Sequence, residues 1–112
     1  MLKAVVHVNF GEAARQEAGL NNIDNILKEA DDTQIEVVCH GEGISLLTKK
    51  NSKHADMVEK LIERDVRFVA CENTMKKKSL EKSDLIEGAV TVPSGAFEVL
   101  RKQQAGYGYF RP

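Results

Sequence analysis

Tryptophan is absent from the sequence, and the other aromatic side chains are few, with four phenylalanines and two tyrosines. Proteins that bind single-stranded nucleic acid stack bases on aromatic side chains, so this function is not expected. An excess of one charge is also missing, because sixteen Lys and Arg nearly balance seventeen Asp and Glu. The chain therefore has no long-range field that would attract nucleic acid or an anionic membrane.

Long apolar runs are missing as well, and none approaches the roughly 20 residues of a membrane span. The start, MLKAVVHVNFGE, is unlike a signal peptide because its apolar part is short and contains Lys3, His7 and Asn9. Only two cysteines are present, Cys39 and Cys71, too few for a disulfide framework. These features predict a soluble cytoplasmic protein with reduced thiols and no membrane partner.

The length of 112 residues fits one domain, residues 1–112, with a single hydrophobic core. Strand patterns alternate with helical patterns, and the strands are predicted at 2–9, 34–41, 66–71, 89–92 and 107–110. Ser52 and Ser94 are predicted to cap the helices that follow them. This order predicts an α/β fold, a three-layer α/β/α sandwich with a mostly parallel sheet.

The ends of the predicted strands carry the candidate site residues, because ligands of parallel α/β sheets bind beyond the carboxyl ends of the strands. Polar or flexible residues follow each of the first four strands: Asn9; His40 and Gly41; Cys71, Asn73 and Thr74; Ser94 and Gly95. Helix caps and tight turns use the same residue types, so a purely structural role is open for each of them.

The two cysteines differ in their surroundings. Cys39 lies within the run IEVVCH and is predicted to be an inert core residue. Cys71 ends the third strand, just before a helix predicted to begin at Asn73 or Thr74. Helix N–H groups, with positive potential from the lysines at 76–78, would lower the pKa of this thiol and make it a better nucleophile. A buried structural cysteine would suit the same position.

His40 is a candidate proton donor or acceptor if the second and third strands are neighbours, although it could equally bond a loop carbonyl. His7 lies inside the first strand and His54 on a helix, and neither has metal-ligand spacing with a cysteine. Neither C-x-x-C nor a phosphate-binding loop occurs, and the GEG at 41–43 lacks the third glycine of a dinucleotide fingerprint. No metal or cofactor is therefore expected.

Three segments, in the expected order, resemble the DsrE/DsrF-like family, which includes sulfur-relay proteins of the TusBCD type and the small YchN-like proteins. They are IEVVCHGEGISLL (35–47), VRFVACENTMKKKSL (66–80) and VPSGAFEVLRKQQAGYGYFRP (92–112). The resemblance implies a five-stranded sheet and a homo-oligomer, commonly a trimer or hexamer. Cys71 matches the cysteine that carries a persulfide in the sulfur-relay members. His40 matches a recurrent histidine, and Asn73 and Thr74 match the loop after the cysteine.

Three functions are consistent with the residues. The first is a sulfur carrier that holds sulfane sulfur on Cys71 without a cofactor, with His40 assisting protonation and another protein as sulfur donor or acceptor. The second is a module that binds a small anion or metabolite at the strand exits, without catalysis. The third is an oligomeric scaffold. The carboxy-terminal GYGYF predicts that Tyr107, Tyr109 and Phe110 contribute to a contact between subunits.

Overall fold

A computed structural model describes residues 1–112. Five strands form a single sheet in the order β4-β3-β2-β1-β5, and every pair of neighbours is parallel. The strands are β1 (Leu2–Val8), β2 (Thr33–Cys39), β3 (Arg67–Cys71), β4 (Val90–Val92) and β5 (Gly108–Phe110). The helices are α1 (Ala13–Glu29), α2 (Ala55–Glu63), α3 (Glu72–Lys77) and α4 (Gly95–Gln104), with 3-10 helices at Gly41–Leu47 and Lys82–Asp84. The predicted α/β fold with a five-stranded parallel sheet is confirmed.

Two hydrophobic clusters, one on each face of the sheet, make the three layers. The larger one packs α1 and α2 against β1, β2 and β3 and includes Leu20, Val37 and Phe68. The smaller one consists of five valines, of which Val99 comes from α4 and the others come one from each of β1 to β4. Each fully buried side chain of this kind contributes roughly 1.5–3 kcal/mol to folding. The second face of the sheet is therefore covered more thinly, by a single helix.

The register brings the carboxyl ends of the strands to one edge of the sheet. Val8 pairs with Cys39, Cys39 with Ala70, and Cys71 with Val92. The first strand ends one residue earlier than predicted. The second ends two residues earlier, because His40 and Gly41 already turn into the 3-10 helix. Side chains alternate between the two faces along a strand, so Val69 and Cys71 both face the α4 layer.

The predicted helix caps gave one correct and one wrong result. Ser94 accepts a hydrogen bond from the backbone N–H of Phe97 at 3.2 Å and caps α4. Ser52 does not cap α2, because that helix begins at Ala55 and His54 occupies the cap position. The Ser52 hydroxyl instead accepts from the N–H of His54 at 3.3 Å in the preceding turn. None of the helices combines the length and apolar composition that crossing a bilayer requires.

Candidate functional site

Cys71 is the last residue of β3 and directly precedes α3. This helix begins at Glu72, one or two residues earlier than predicted from the sequence. Its side chain is almost covered, and the residue is 4% exposed. Cys39, as predicted, is completely buried, and burial raises the pKa of its thiol far above the usual value. The two thiols thus lie on opposite faces of the sheet in different electrostatic environments.

Hydrogen-bond donors around Cys71 outweigh the effect of its burial. Burial alone would raise the pKa of this thiol, but the backbone N–H groups of Gly95, Thr74 and Asn73 and the hydroxyl of Thr74 lower it. The net result is a pKa below the ordinary value. Donors that point at the sulfur favour the thiolate because they stabilise its negative charge.

The Thr74 hydroxyl is oriented by a second contact. The backbone N–H of Gly41 donates to Thr74 Oγ1 at 2.9 Å, which leaves the hydroxyl hydrogen for the sulfur of Cys71. Gly41 has a φ of +55°, a conformation that is strained for residues with a side chain. The turn after β2 therefore places a backbone donor that fixes a side-chain donor on α3.

Gly95, the first residue of α4, lies against both His40, which follows β2, and Cys71, which ends β3. A Cβ atom on this residue would lie 3.0 Å from His40 Cβ and 3.2 Å from Cys71 Cβ, closer than ordinary side-chain contacts. A glycine at the first position of α4 therefore lets the helix approach both side chains. It also places the N–H of Gly95 close enough to act on the thiol.

His40 is next to Cys71 across Gly95, but no hydrogen bond joins the two side chains. Its Nε2 atom lies 2.6 Å from Nε2 of His7, and His7 Nδ1 lies 2.6 Å from the hydroxyl oxygen of Tyr109. Burial, the nearby His40 and the charge of Arg111 lower the pKa of His7 to about 4. Burial also lowers the pKa of His40, so both rings are neutral at physiological pH.

The structure brings most of the strand-end candidates together around Cys71. His40, Gly41, Asn73, Thr74 and Gly95 surround Cys71, and Ser94 caps the helix that supplies Gly95. Asn9 is not in the cluster, since its side chain accepts a hydrogen bond from Arg111 at 3.0 Å.

The lysines at 76–78 do not account for the lowered pKa of Cys71. They are exposed, and Lys78 pairs with Glu42 at 3.2 Å. The donors on Cys71 are backbone N–H groups and one hydroxyl.

Two residues of the hydrogen-bonded cluster, His7 and Tyr109, were missed from the sequence. The sequence alone placed His7 inside a strand, and its contact with His40 depends on strand order and register. The contact of Tyr109 with His7 likewise depends on the pairing of β5 with β1.

Two surface cavities lie away from Cys71. One, of about 320 Å³, is lined by residues that include Glu36, Arg67, Lys102 and Tyr107. The other is formed by residues 52–57. No group of three or more His, Cys, Asp or Glu side chains is arranged to hold a metal ion.

Comparison with known proteins places the chain in a family. The profile of the DsrE/DsrF-like family matches residues 3–112. The chain belongs to the DsrE/DsrF-like family. This family is associated in general with sulfur relay. None of the curated proteins matches the chain significantly.

Two solved structures share the fold over the full length of both chains. The protein MTH1491 from Methanobacterium thermoautotrophicum, described as a protein of unknown function, is 30% identical with a TM-score of 0.96. The ychN protein from E. coli is 14% identical with a TM-score of 0.76. The likeness to ychN concerns the fold alone.

Proposed function

We propose that this DsrE/DsrF-like protein is an intracellular, cytoplasmic sulfur carrier that holds sulfane sulfur as a persulfide on Cys71. The observation that carries the proposal is the set of donors around this thiol: three backbone N–H groups and one hydroxyl lower its pKa despite burial. A thiolate, not a thiol, attacks sulfur, so a lowered pKa raises the reactive fraction at neutral pH. The general association of the family with sulfur relay supports the same function.

The transfer requires only sulfur exchange between thiols. The Cys71 thiolate attacks the terminal sulfur of a donor persulfide, R–S–S–H, and forms a new S–S bond. The S–S bond of the donor breaks, and the donor leaves as R–S⁻, so no external oxidant or reductant is consumed. Because Cys71 is only 4% exposed, a small donor should react more readily than a bulky one.

Intact-mass spectrometry after incubation with cysteine persulfide tests the proposal. Wild-type protein should gain the mass of one sulfur atom, and reduction with dithiothreitol should remove it. Cys71→Ser should gain none, whereas Cys39→Ser, the matched control at the buried thiol, should load like the wild type. A wild-type protein that takes up no sulfur would contradict the carrier function and favour a binding module at the strand exits.

We also propose that the carrier is a homo-oligomer, a trimer or hexamer, that exchanges sulfur with a donor or acceptor protein. Phe97 and Leu100, adjacent on the outer face of α4, are 65% and 61% exposed. Neighbouring exposed apolar side chains of this size are typical of contact surfaces. The aromatic carboxy terminus contributes less exposed surface than its sequence suggests, because Tyr107 and Phe110 pack within the chain.

A further inference from the structure

Three titratable side chains form a continuous hydrogen-bonded chain beside Cys71. His40 Nε2 and His7 Nε2 are 2.6 Å apart, and His7 Nδ1 is 2.6 Å from the Tyr109 hydroxyl oxygen. The planes of the two imidazole rings differ by only 6°. Both contacts are short enough to be hydrogen bonds, so a proton lies between each pair of atoms.

The two ends of this hydrogen-bonded chain, His40 and Tyr109, lie in different surroundings. At the inner end, Cβ and Cγ of His40 pack against Gly95, which also contacts Cys71. At the outer end, Tyr109 is 45% exposed on the edge strand β5. The chain therefore connects the neighbourhood of the thiol with solvent.

Proton counting allows only two arrangements of this chain. A neutral imidazole carries one N–H, so His7 donates to one neighbour and accepts from the other. In the first arrangement Tyr109 donates to His7, His7 donates to His40, and the hydrogen of His40 is on Nδ1. In the second arrangement His40 donates to His7, His7 donates to Tyr109, and Nδ1 of His40 carries a lone pair. A change from the first arrangement to the second releases the proton of His40 Nδ1. Each remaining proton moves one group inward, and solvent supplies a new proton to Tyr109.

We propose that His7 and Tyr109 are positioning residues that, through His40, relay protons between solvent and the sulfur atoms reacting at Cys71. This inference rests on the proposed sulfur-carrier function and assigns the proton transfers that it requires. No other route to solvent in this cluster is built of titratable groups joined by hydrogen bonds.

Loading of the carrier uses the first arrangement. Cys71–S⁻ attacks R–S–S–H, Cys71–S–S–H forms, and R–S⁻ leaves. His40 Nδ1–H gives its proton to R–S⁻, which departs as R–SH. His40 Nε2 then takes a proton from His7, His7 takes one from Tyr109, and Tyr109 recovers one from water. The three hydrogen-bonded side chains are then in the second arrangement.

Unloading reverses the relay. An acceptor thiol, R′–SH, must lose its proton before it attacks the outer sulfur of Cys71–S–S–H. His40 Nδ1, now a lone pair, takes this proton, and Tyr109 releases one to solvent. The products are R′–S–S–H and Cys71–S⁻, and the chain returns to the first arrangement. Each transfer cycle therefore resets the relay.

Tyr109→Phe tests the relay, because it removes only a hydroxyl group from an exposed position. Tyr107→Phe is the matched control, since the Tyr107 hydroxyl donates to Gln34 at 3.0 Å, outside the chain. Stopped-flow rates of loading by cysteine persulfide and of unloading to free cysteine should fall about tenfold in Tyr109→Phe, a modest share of what general acid–base catalysis supplies. Tyr107→Phe should behave like the wild type.

A second reaction separates a proton relay from a merely structural hydrogen bond. Alkylation of Cys71 by iodoacetamide releases iodide, which takes no proton, so its rate and pH midpoint should be unchanged in Tyr109→Phe. Equal loading rates in Tyr109→Phe and wild type would overturn the relay and leave the carrier function intact. Slower alkylation in proportion to slower loading would also overturn it. A wild type that never loads would overturn the carrier function, and the relay with it.

Discussion

At the scale of a residue, burial and hydrogen bonding act on the Cys71 thiol in opposite directions. Burial disfavours the thiolate, as it does without compensation at Cys39, and donors from two helices favour it. These donors come from the start of α3 and the start of α4, and the turn after β2 orients one of them by donating to the Thr74 hydroxyl. The difference in pKa between the two thiols therefore depends on hydrogen-bond donors more than on exposure, which is small for both cysteines.

Replacement of Thr74 by valine should raise the pKa of Cys71. The change keeps the shape of the side chain but removes the hydroxyl donor, and a hydrogen bond to a charged group is worth enough to shift the pKa by about one pH unit. The pH midpoint of the iodoacetamide alkylation rate measures this shift. In the wild type, Cys71 should react before Cys39, which should react only after unfolding.

Thr74→Ser is the control, because it keeps the hydroxyl and should leave the midpoint close to that of the wild type. The same midpoint in Thr74→Val and wild type would mean that this hydroxyl does not act on the thiol. Simultaneous alkylation of both cysteines in the native protein would contradict the distinction between a core thiol and a site thiol.

The sequence allowed most, but not all, of these residues to be predicted. Cys71, Thr74 and Gly95 were found because parallel strands bring their carboxyl ends to one edge, a rule that needs no contact information. His7 was dismissed as a strand residue, since its partner across the sheet depends on strand order and register. Asn9 was included by the same rule, although Arg111 draws its side chain into another hydrogen bond.

At the scale of an element, α4 contacts both the candidate site and the apolar cluster on the second face of the sheet. Its first residue, Gly95, contacts His40 and Cys71, and its Val99 packs with the valines of the sheet. The approach of α4 to the sheet is therefore coupled to the position of the Gly95 N–H donor. Nothing in the local sequence pattern of a capped helix indicates this coupling, because it depends on packing between distant segments.

Gly95→Ala should displace the first turn of α4. The new Cβ would lie 3.0 Å from His40 Cβ and 3.2 Å from Cys71 Cβ, so the helix must move outward. We expect a loss of about 1–3 kcal/mol in the free energy of unfolding, as for overpacked cores. The pKa of Cys71 should rise as the Gly95 N–H recedes. Urea unfolding and the alkylation midpoint measure the two effects.

Ala96→Gly provides the control in the same turn. It should cost about 1 kcal/mol of stability through helix propensity alone, without a change in the pKa of Cys71. If Gly95→Ala proved as stable as the wild type with an unchanged thiol, the close approach of α4 would not matter.

The middle of α4 joins the sheet through a pair of buried carboxyl groups. Glu36 of β2 and Glu98 of α4 are each 3% exposed. Glu36 Oε1 and Glu98 Oε2 have no donor from the rest of the protein, so a proton shared between the two groups satisfies both. Burial and then the neighbouring Glu98 raise the pKa of Glu36 to about 7, although Lys102 and Arg67 oppose the shift.

This pair predicts a stability that depends on pH with a definite sign. The folded protein holds the Glu36 proton to a pH of about 7, whereas an unfolded chain loses it near 4.5. The contribution is therefore complete below the lower value and is lost as the pH rises to the higher one, by roughly 3 kcal/mol. Glu36→Gln should abolish this loss, because its amide replaces the shared proton at every pH.

Urea titrations of wild type and Glu36→Gln from pH 4.5 to 8 measure the difference between the two proteins. The difference is needed because the lowered pKa of His7 has the opposite effect on stability. Through His7, both proteins become less stable as the pH falls from 6.5 toward 4. The variant should gain stability relative to the wild type as the pH rises. A difference that is constant with pH would mean that Glu36 is not protonated in the folded protein.

At the scale of the whole molecule, the two sides of the sheet are unequally covered. The side that carries α1 and α2 holds the larger cluster of 21 buried residues, and the side that carries α4 holds five. The helix on the thinner side exposes Phe97 and Leu100 to solvent. An assembly of several copies would cover this face. In the aromatic carboxy terminus, Tyr107 and Phe110 pack against the protein's own core, whereas Tyr109 is 45% exposed.

A double variant, Phe97→Glu and Leu100→Glu, tests whether this face is a subunit contact. Two added carboxylates on an apolar contact would be desolvated and would repel one another across subunits, so the assembly should dissociate. The fold should survive, because both side chains are exposed and Phe97 lies in the first turn of α4, where negative charge is favourable. Light scattering should give the mass of a trimer or hexamer for the wild type and about 12.4 kDa for the variant.

A matched control places the same two charges elsewhere. Asn21→Glu and Asn25→Glu add them to exposed positions of α1, and this variant should keep the wild-type mass. Far-ultraviolet circular dichroism checks that both variants remain folded. A wild type that is monomeric at micromolar concentration would contradict the homo-oligomer. An oligomeric wild type whose mass is unaffected by the α4 charges would place the contact on another surface, because an exposed apolar pair that tolerates two buried charges cannot lie at the centre of an interface.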